Sequence, residues 1–184
     1  MPLLLWIERA KGMVLNPHRT WEDILEEDDS IGNFFVETIL PMAALPAAAH
    51  LLGFWYHGFF DTVFKALLWF ILAVAGVWLV GKTVHALALY FNSSPNEIRA
   101  FQLAAYSFLP FFLSGVCYIL PFLSFIVFLS GLYGIYLLFV GLPVLLNMSG
   151  EKSTVLGLIA GAAMLAVIVL VGELTGGVLW PSKP

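Results

Sequence analysis

Long apolar runs separated by short polar stretches organise this 184-residue chain. From Ala100 to Gly150 no Asp, Glu, Lys, Arg or His occurs in 51 consecutive residues. A tilted helix crosses a hydrocarbon core of about 30 Å in about 20 to 25 residues, so this run predicts two spans and a tight turn. The spans fall at 100–117 and 122–146, where Pro121 would break the helical ladder and Tyr118 supplies an interfacial aromatic. Residues 31–52 are apolar except for Asn33, Glu37, Thr38 and His50, with Ser30 a fair N-cap before them. Residues 64–91 carry Lys65 at one end and Lys82 and His85 toward the other, and residues 154–177 carry one charge, Glu173. The lysine-free stretch Ala66 to Gly81 is short for a span, so Lys82 must snorkel to an interface or meet a partner. The expected fold is an all-α integral membrane protein whose residues 31–178 form five transmembrane helices.

Residues 1–30 have a different pattern. Leu3, Ile7, Ala10 and Val14 recur at helical spacing, with Trp6 beside them and Glu8, Arg9 and Lys11 elsewhere on the wheel. This predicts an amphipathic helix lying in the cytoplasmic interface, although packing of the same face on the spans satisfies the pattern equally. Asn16-Pro17 ends it, and Thr20-x-x-Asp23 resembles a capping box opening a short turn with Trp21 and Ile24.

Composition agrees with lipid as the main solvent. Apolar residues make up 61% and charged residues 11%, against about 45–50% and about 25% in soluble domains. The net charge of −4 offers no basic footprint for nucleic acid, and the single cysteine, Cys117, cannot form an internal disulfide. With the N-terminus inside, Arg9, Lys11, Arg19, Lys82, Arg99 and Lys152 collect on the cytoplasmic side, leaving Lys65 and Lys183 outside. The positive-inside rule therefore predicts a cytoplasmic N-terminus and an outer C-terminus.

Few groups are left for membrane chemistry. Glu37 lies about 9 Å inside the first span, and Lys82 and His85 sit at comparable depth on the next helix. Glu37, Lys82 and His85 thus form a candidate intramembrane polar cluster. It could be a self-neutralising pair that fixes helix packing, or it could handle protons or ions. On the other side His50, His57, Asp61, Lys65 and Glu173 could gather, but their spacing matches no closed metal site. Gly157-x-x-x-Gly161 and Ala162-x-x-x-Ala166, with Gly131, Gly134 and Gly141, would let helices approach closely, within the bundle or in a homodimer. No metalloprotease, phosphate-loop, redox or haem signature is present, and Ser114-Gly115 and Ser130-Gly131 lack a histidine partner in sequence. Neither a catalytic residue nor a cofactor or metal is assigned.

Several segments together resemble a known family. They are Asn16-Pro17 followed by Thr20-Trp21-Glu22-Asp23-Ile24; the polar loop Asn92-Ser93-Ser94-Pro95 leading to Arg99, Ala105-Tyr106-Ser107 and Pro110; and Gly131-Leu132-Tyr133-Gly134-Ile135-Tyr136 with Gly141-Leu142. In order and spacing these are similar to short prokaryotic members of the Yip family, whose eukaryotic members are named as Ypt/Rab-interacting membrane proteins. The resemblance implies a five-span, non-enzymatic membrane protein. It does not extend GTPase binding to this chain, which lacks the long hydrophilic N-terminal region of the eukaryotic adaptors. The expected role is an adaptor or organiser whose partners are membrane lipids, another membrane protein or a second copy of itself. The alternative is a small ion-coupled transporter using Glu37 and Lys82.

Overall fold

The computed structural model describes residues 2–27, 30–52, 58–91, 96–119, 123–148 and 150–175. Pro121, His57, Lys183 and the loop Asn92-Ser93-Ser94-Pro95 lie outside the described residues, as do the side chains of Leu3, Trp6 and Tyr118. Among the described residues the chain is helical and has no strand. Two shorter helices, α1 (Pro2–Leu15) and α2 (Pro17–Leu25), precede α3 (Ile31–Leu52), which contains a π turn at Phe35–Ile39. Then follow α4 (Phe59–Tyr90), α5 (Glu97–Ser114) continued by a 3-10 turn at Gly115–Ile119, α6 (Ser124–Leu146) and α7 (Glu151–Thr175). The helices from α3 to α7 are long and apolar enough to cross a membrane.

Local chemistry explains the helix starts. Ser30 caps α3 as expected, its hydroxyl accepting from the Asn33 amide at 3.3 Å. The expected capping box at Thr20 does not form. Pro17 already has the backbone angle of a first helical residue, so α2 starts four residues earlier, and the Thr20 hydroxyl bonds instead to the Asn16 carbonyl at 3.0 Å. The second span starts at Phe59, five residues before the expected boundary at 64. Gly58, at φ 80°, turns the chain directly into this helix and accepts the Thr62 hydroxyl at 2.8 Å. Lys65 and Lys82 then stand about 26 Å apart along α4, one near each end of its apolar stretch.

α5 is the centre of the bundle. Its apolar window is 72% buried, whereas those of the other spans are 33 to 50% buried. α4 packs against α3, α5 and α7, and α6 against α5 and α7. The 3-10 turn after α5 closes the ring by meeting α3, where Gly115 fits against Pro46. Aromatic side chains fill the centre: Trp69 stacks on Phe111 with centroids 5.8 Å apart and meets Phe112 edge-on at 5.7 Å, while Phe108 stacks on Phe112 at 5.8 Å. Lipid tails are as apolar as these rings, so close packing, rather than escape from water, must hold the spans together.

The glycines make that packing possible. A Cβ at Gly157 would lie 2.5 Å from the Phe139 ring, one at Gly131 would lie 3.0 Å from Ile168, and one at Gly161 would lie 3.2 Å from Ile135. At Gly134 a Cβ would overlap the Ser107 carbonyl oxygen. All four therefore serve contacts inside one chain, between α6 and α7 or between α5 and α6. Ala162 and Ala166, by contrast, are exposed on α7.

The two N-terminal helices pack on this bundle. Met13, Trp21 and Ile24 are fully or almost fully buried. Trp21 lies against Gly141, which Leu103 also approaches, and Tyr133 on α6 donates its hydroxyl to the Met13 carbonyl at 2.9 Å. Among the described side chains of α1, Arg9 and Met13 are buried, whereas Ile7 and Val14 of the expected apolar face are exposed.

Candidate functional site

The polar groups fall mainly into one layer at the end of the bundle where α4 stops and α5 begins, called here the basic end. Asn96 caps α5 by accepting the Ile98 amide at 3.3 Å, which places Glu97 in the first turn. Glu97 forms an ion pair with Lys82. The Lys82 ammonium also lies 5.7 Å from the Phe101 ring and 5.9 Å from the Trp78 ring. His85, three residues along the same helix, acts electrostatically on Glu97 as well. Its Nδ1 is buried and has no hydrogen-bond partner among the described residues.

This corrects the cluster expected from sequence. Lys82 and His85 do share a site, but their carboxylate is Glu97 rather than Glu37. Glu37 is exposed and has no ion-pair partner among the described residues. Its depth does match that of Lys82: Phe35, two residues before it, meets Phe101 edge-on at 5.6 Å, and Phe101 is the ring beside Lys82. The two charges occupy one layer and face different directions. Glu37 belongs to the π turn, whose i to i+5 hydrogen bonding takes in an extra residue. One added residue rotates the helix face by about 100°, so span depth alone could not fix the direction of this carboxylate.

A second polar group joins the N-terminal helices to the centre. Arg9 pairs with Glu27, and its guanidinium lies 4.8 Å from the Tyr106 ring of α5. Arg99 donates to the Ile24 carbonyl and to Gln102, each at 2.9 Å. Tyr106 also meets Phe34 and Trp21, with ring centroids 5.7 and 6.4 Å away. These contacts tie α1, α2, α3 and α5 together at one corner. Glu97, Gln102 and Tyr106 were absent from the expected site; the useful signal was an acidic residue following an N-cap asparagine, one short loop after Lys82.

The opposite end is simpler. Asp61 and Lys65 pair at 2.8 Å one helical turn apart, so Lys65 is neutralised within its own helix. The Ser114 and Ser130 hydroxyls meet between α5 and α6 and each also lies within bonding distance of a carbonyl three residues earlier, at 3.0 and 2.8 Å, so their two protons serve two of these three contacts at a time. Their hydroxyls cross-link helices, and no described hydrogen bond ties either to a histidine. No group of three or more metal-ligating side chains occurs among the described residues.

Two apolar grooves flank α3. One, of 500 Å³, is lined by Pro41, Met42 and Leu45 together with Ile7, Leu109 and Leu113. The other, of 720 Å³, runs between α3 and α4 past Ala47, Leu51, Val63, Leu67 and Phe70. Ala44 and Ala48 line both and form the ridge between them. Such a surface can hold apolar chains or another helix.

Comparison with known proteins adds a family. The model described as the Yip1 domain matches residues 11–171. The chain is similar to proteins described as Inner membrane protein YohC in Escherichia coli K12 and in Escherichia coli O6:H1. Each is 28% identical over 181 residues, covering 88% of this chain and 89% of the relative. No solved structure matches the chain.

Proposed function

From its membership of the Yip1 family, a group of multi-pass membrane proteins, we propose that this chain is a non-enzymatic organiser of other membrane components. It works through the outer faces of its five spans. The observation that carries this reading is the filled centre: α5 is buried on nearly every side, with Lys82 and Glu97 paired at its basic end and Arg9 paired with Glu27 beside Tyr106. A transporter needs a polar path or cavity near the bilayer midplane. Here the grooves are apolar and lie on the outside. The inner-membrane relatives support a location in a bacterial inner membrane.

The basic end faces the cytoplasm in this reading, because Lys82, Arg99, Lys152 and the α2 helix with Arg19 lie there while Lys65 lies at the other. Labelling Lys152→Cys from the inside only, and Lys65→Cys from the outside only, is the expected topology result. The functional test is crosslinking in native membranes, paired with solute and proton flux in proteoliposomes. Enriched membrane partners without flux support the organiser. A flux that Glu37→Gln abolishes would replace it with a transporter.

A further inference from the structure

The exposed apolar belt of the bundle differs in height from one flank to another. On α4 its large side chains run from Phe60 to Leu79, about 28 Å along the helix. On α6 they run only from Phe125 to Leu132, about 11 Å, and end at the exposed ring of Tyr136. Of residues 137–146 only Pro143 is exposed, and α2 packs on this half of α6 with Trp21 against Gly141.

Contacts with the spans give the depth of the N-terminal helices. Depth is counted from Glu97, where α5 starts, and from Leu146, where α6 ends. Ser107 and Gly134 touch and lie about 15 and 18 Å from those two ends, so the counts share one zero within about 3 Å. On this scale Trp21 meets Gly141 about 8 Å in, Arg9 lies over Tyr106 about 14 Å in, and Ile7 shares a groove with Leu109 about 18 Å in. The Met13 carbonyl accepts the hydroxyl of Tyr133, whose position on α6 is about 20 Å in. Half of a hydrocarbon core is about 15 Å, so α1 lies level with lipid tails instead of on the membrane surface. Yet both helices turn charge outward: Glu8 and Lys11 of α1 and Arg19, Glu22 and Asp23 of α2 are exposed. Tails cannot cover such a face without a large cost, and Lys11, between Arg9 and Met13, stands farther from the basic end than its own stem can reach.

We propose that α1 and α2 form a membrane-inserted wedge that thins the bilayer on the α6 flank. Water and phospholipid headgroups cover the charged faces of the two helices, and hydrocarbon on this flank begins at the rings of Tyr133 and Tyr136. Tyrosine suits that boundary, with an apolar body and a polar tip. The molecule then meets two depths of hydrocarbon, about 26 Å beside α4 between its paired lysines and about 16 Å beside α6 between Phe125 and Tyr136. The inference goes beyond the organiser reading and stands whether or not protein partners are found.

The test is spin labelling of the full chain, carrying Cys117→Ser and reconstituted in vesicles of phosphatidylethanolamine and phosphatidylglycerol. One label is placed at Lys11→Cys, Tyr136→Cys or Ile71→Cys, all three at exposed positions. Ile71 lies on α4 about 16 Å from Lys82, and Tyr136 about 15 Å from Leu146, so these two compare equal depths on the two flanks. Each label is relaxed by a water-soluble nickel chelate and by oxygen, which concentrates among tails. The expected nickel-to-oxygen ratio at Lys11→Cys and Tyr136→Cys is at least about tenfold that at Ile71→Cys, because a charged face keeps its water. Unchanged thermal midpoints verify that each labelled chain is folded. Oxygen-dominated relaxation at both Lys11→Cys and Tyr136→Cys shows that tails cover the flank and overturns the wedge. Nickel access at Lys11→Cys with oxygen-dominated relaxation at Tyr136→Cys places α1 on the membrane surface and overturns it equally, as does nickel access at Ile71→Cys. Absence of crosslinked partners, by contrast, removes the organiser reading and leaves these ratios as expected.

Discussion

The centre of the bundle along α5 and its rim along α3 are built from similarly apolar helices, yet they use side chains in opposite ways. At the centre the rings of Trp69, Phe111 and Phe112 fill space against one another, and Gly134 lets α6 come up to the Ser107 carbonyl of α5. At the rim small residues face outward and nothing among the described residues fills the grooves beside them. In lipid, burial itself gives little driving force, so shape must do what water does in a soluble core. A tightly fitted surface therefore specifies the fold, and a loosely fitted one is left for association.

The strongest way to break this contrast is Trp69→Ala, which empties the centre. The expected cost is about 3 kcal/mol, the low end for losing a buried Trp because lipid tails are as apolar as its lining. Unfolding by denaturing detergent, followed by the remaining tryptophan fluorescence, would show it. Gly134→Leu should come next, at about 2 kcal/mol, since the added side chain drives α6 away from the Ser107 carbonyl. The same titration checks it, and Ala48→Leu on the rim serves as a control expected to change little.

Tyr133→Phe sharpens the contrast locally. It removes the hydroxyl bond to Met13, worth about 1 kcal/mol, and should raise hydrogen exchange in α1 while α5 stays protected. The smallest effect belongs to Asp61→Asn, which removes an exposed pair within one helix. Less than about 0.5 kcal/mol is expected, measured as a barely shifted thermal midpoint. An effect as large as that of Trp69→Ala would show that the far end contributes to specification, contrary to the division drawn here.

The five spans were legible because hydrophobic length is a direct property of sequence, and five helices of sufficient length do form. Close approach at Gly131, Gly134, Gly157 and Gly161 was legible for the same reason, though sequence could not say whether the neighbouring helix came from the same chain. The polar layer was only half legible. Counting residues placed Glu37 and Lys82 at one depth, and the Phe35 and Phe101 contact agrees. Direction around the helix axis was hidden, because the π turn changes the phase of α3 at Glu37 itself. The true partner, Glu97, was overlooked for a simpler reason. Span boundaries drawn from hydropathy start after the charged first turn of α5, whereas the N-cap at Asn96 starts the helix before it.

The paired lysines of α4 make that helix a gauge of bilayer thickness. With Lys65 tied to Asp61 and Lys82 to Glu97, the distance of about 26 Å between them is set by a continuous helix. A thicker bilayer must thin around the protein or draw the ion pairs inward, at a fraction of a kcal/mol per Å. The expected behaviour among membranes of differing depth is partitioning toward the thinner and away from patches rich in long, saturated chains.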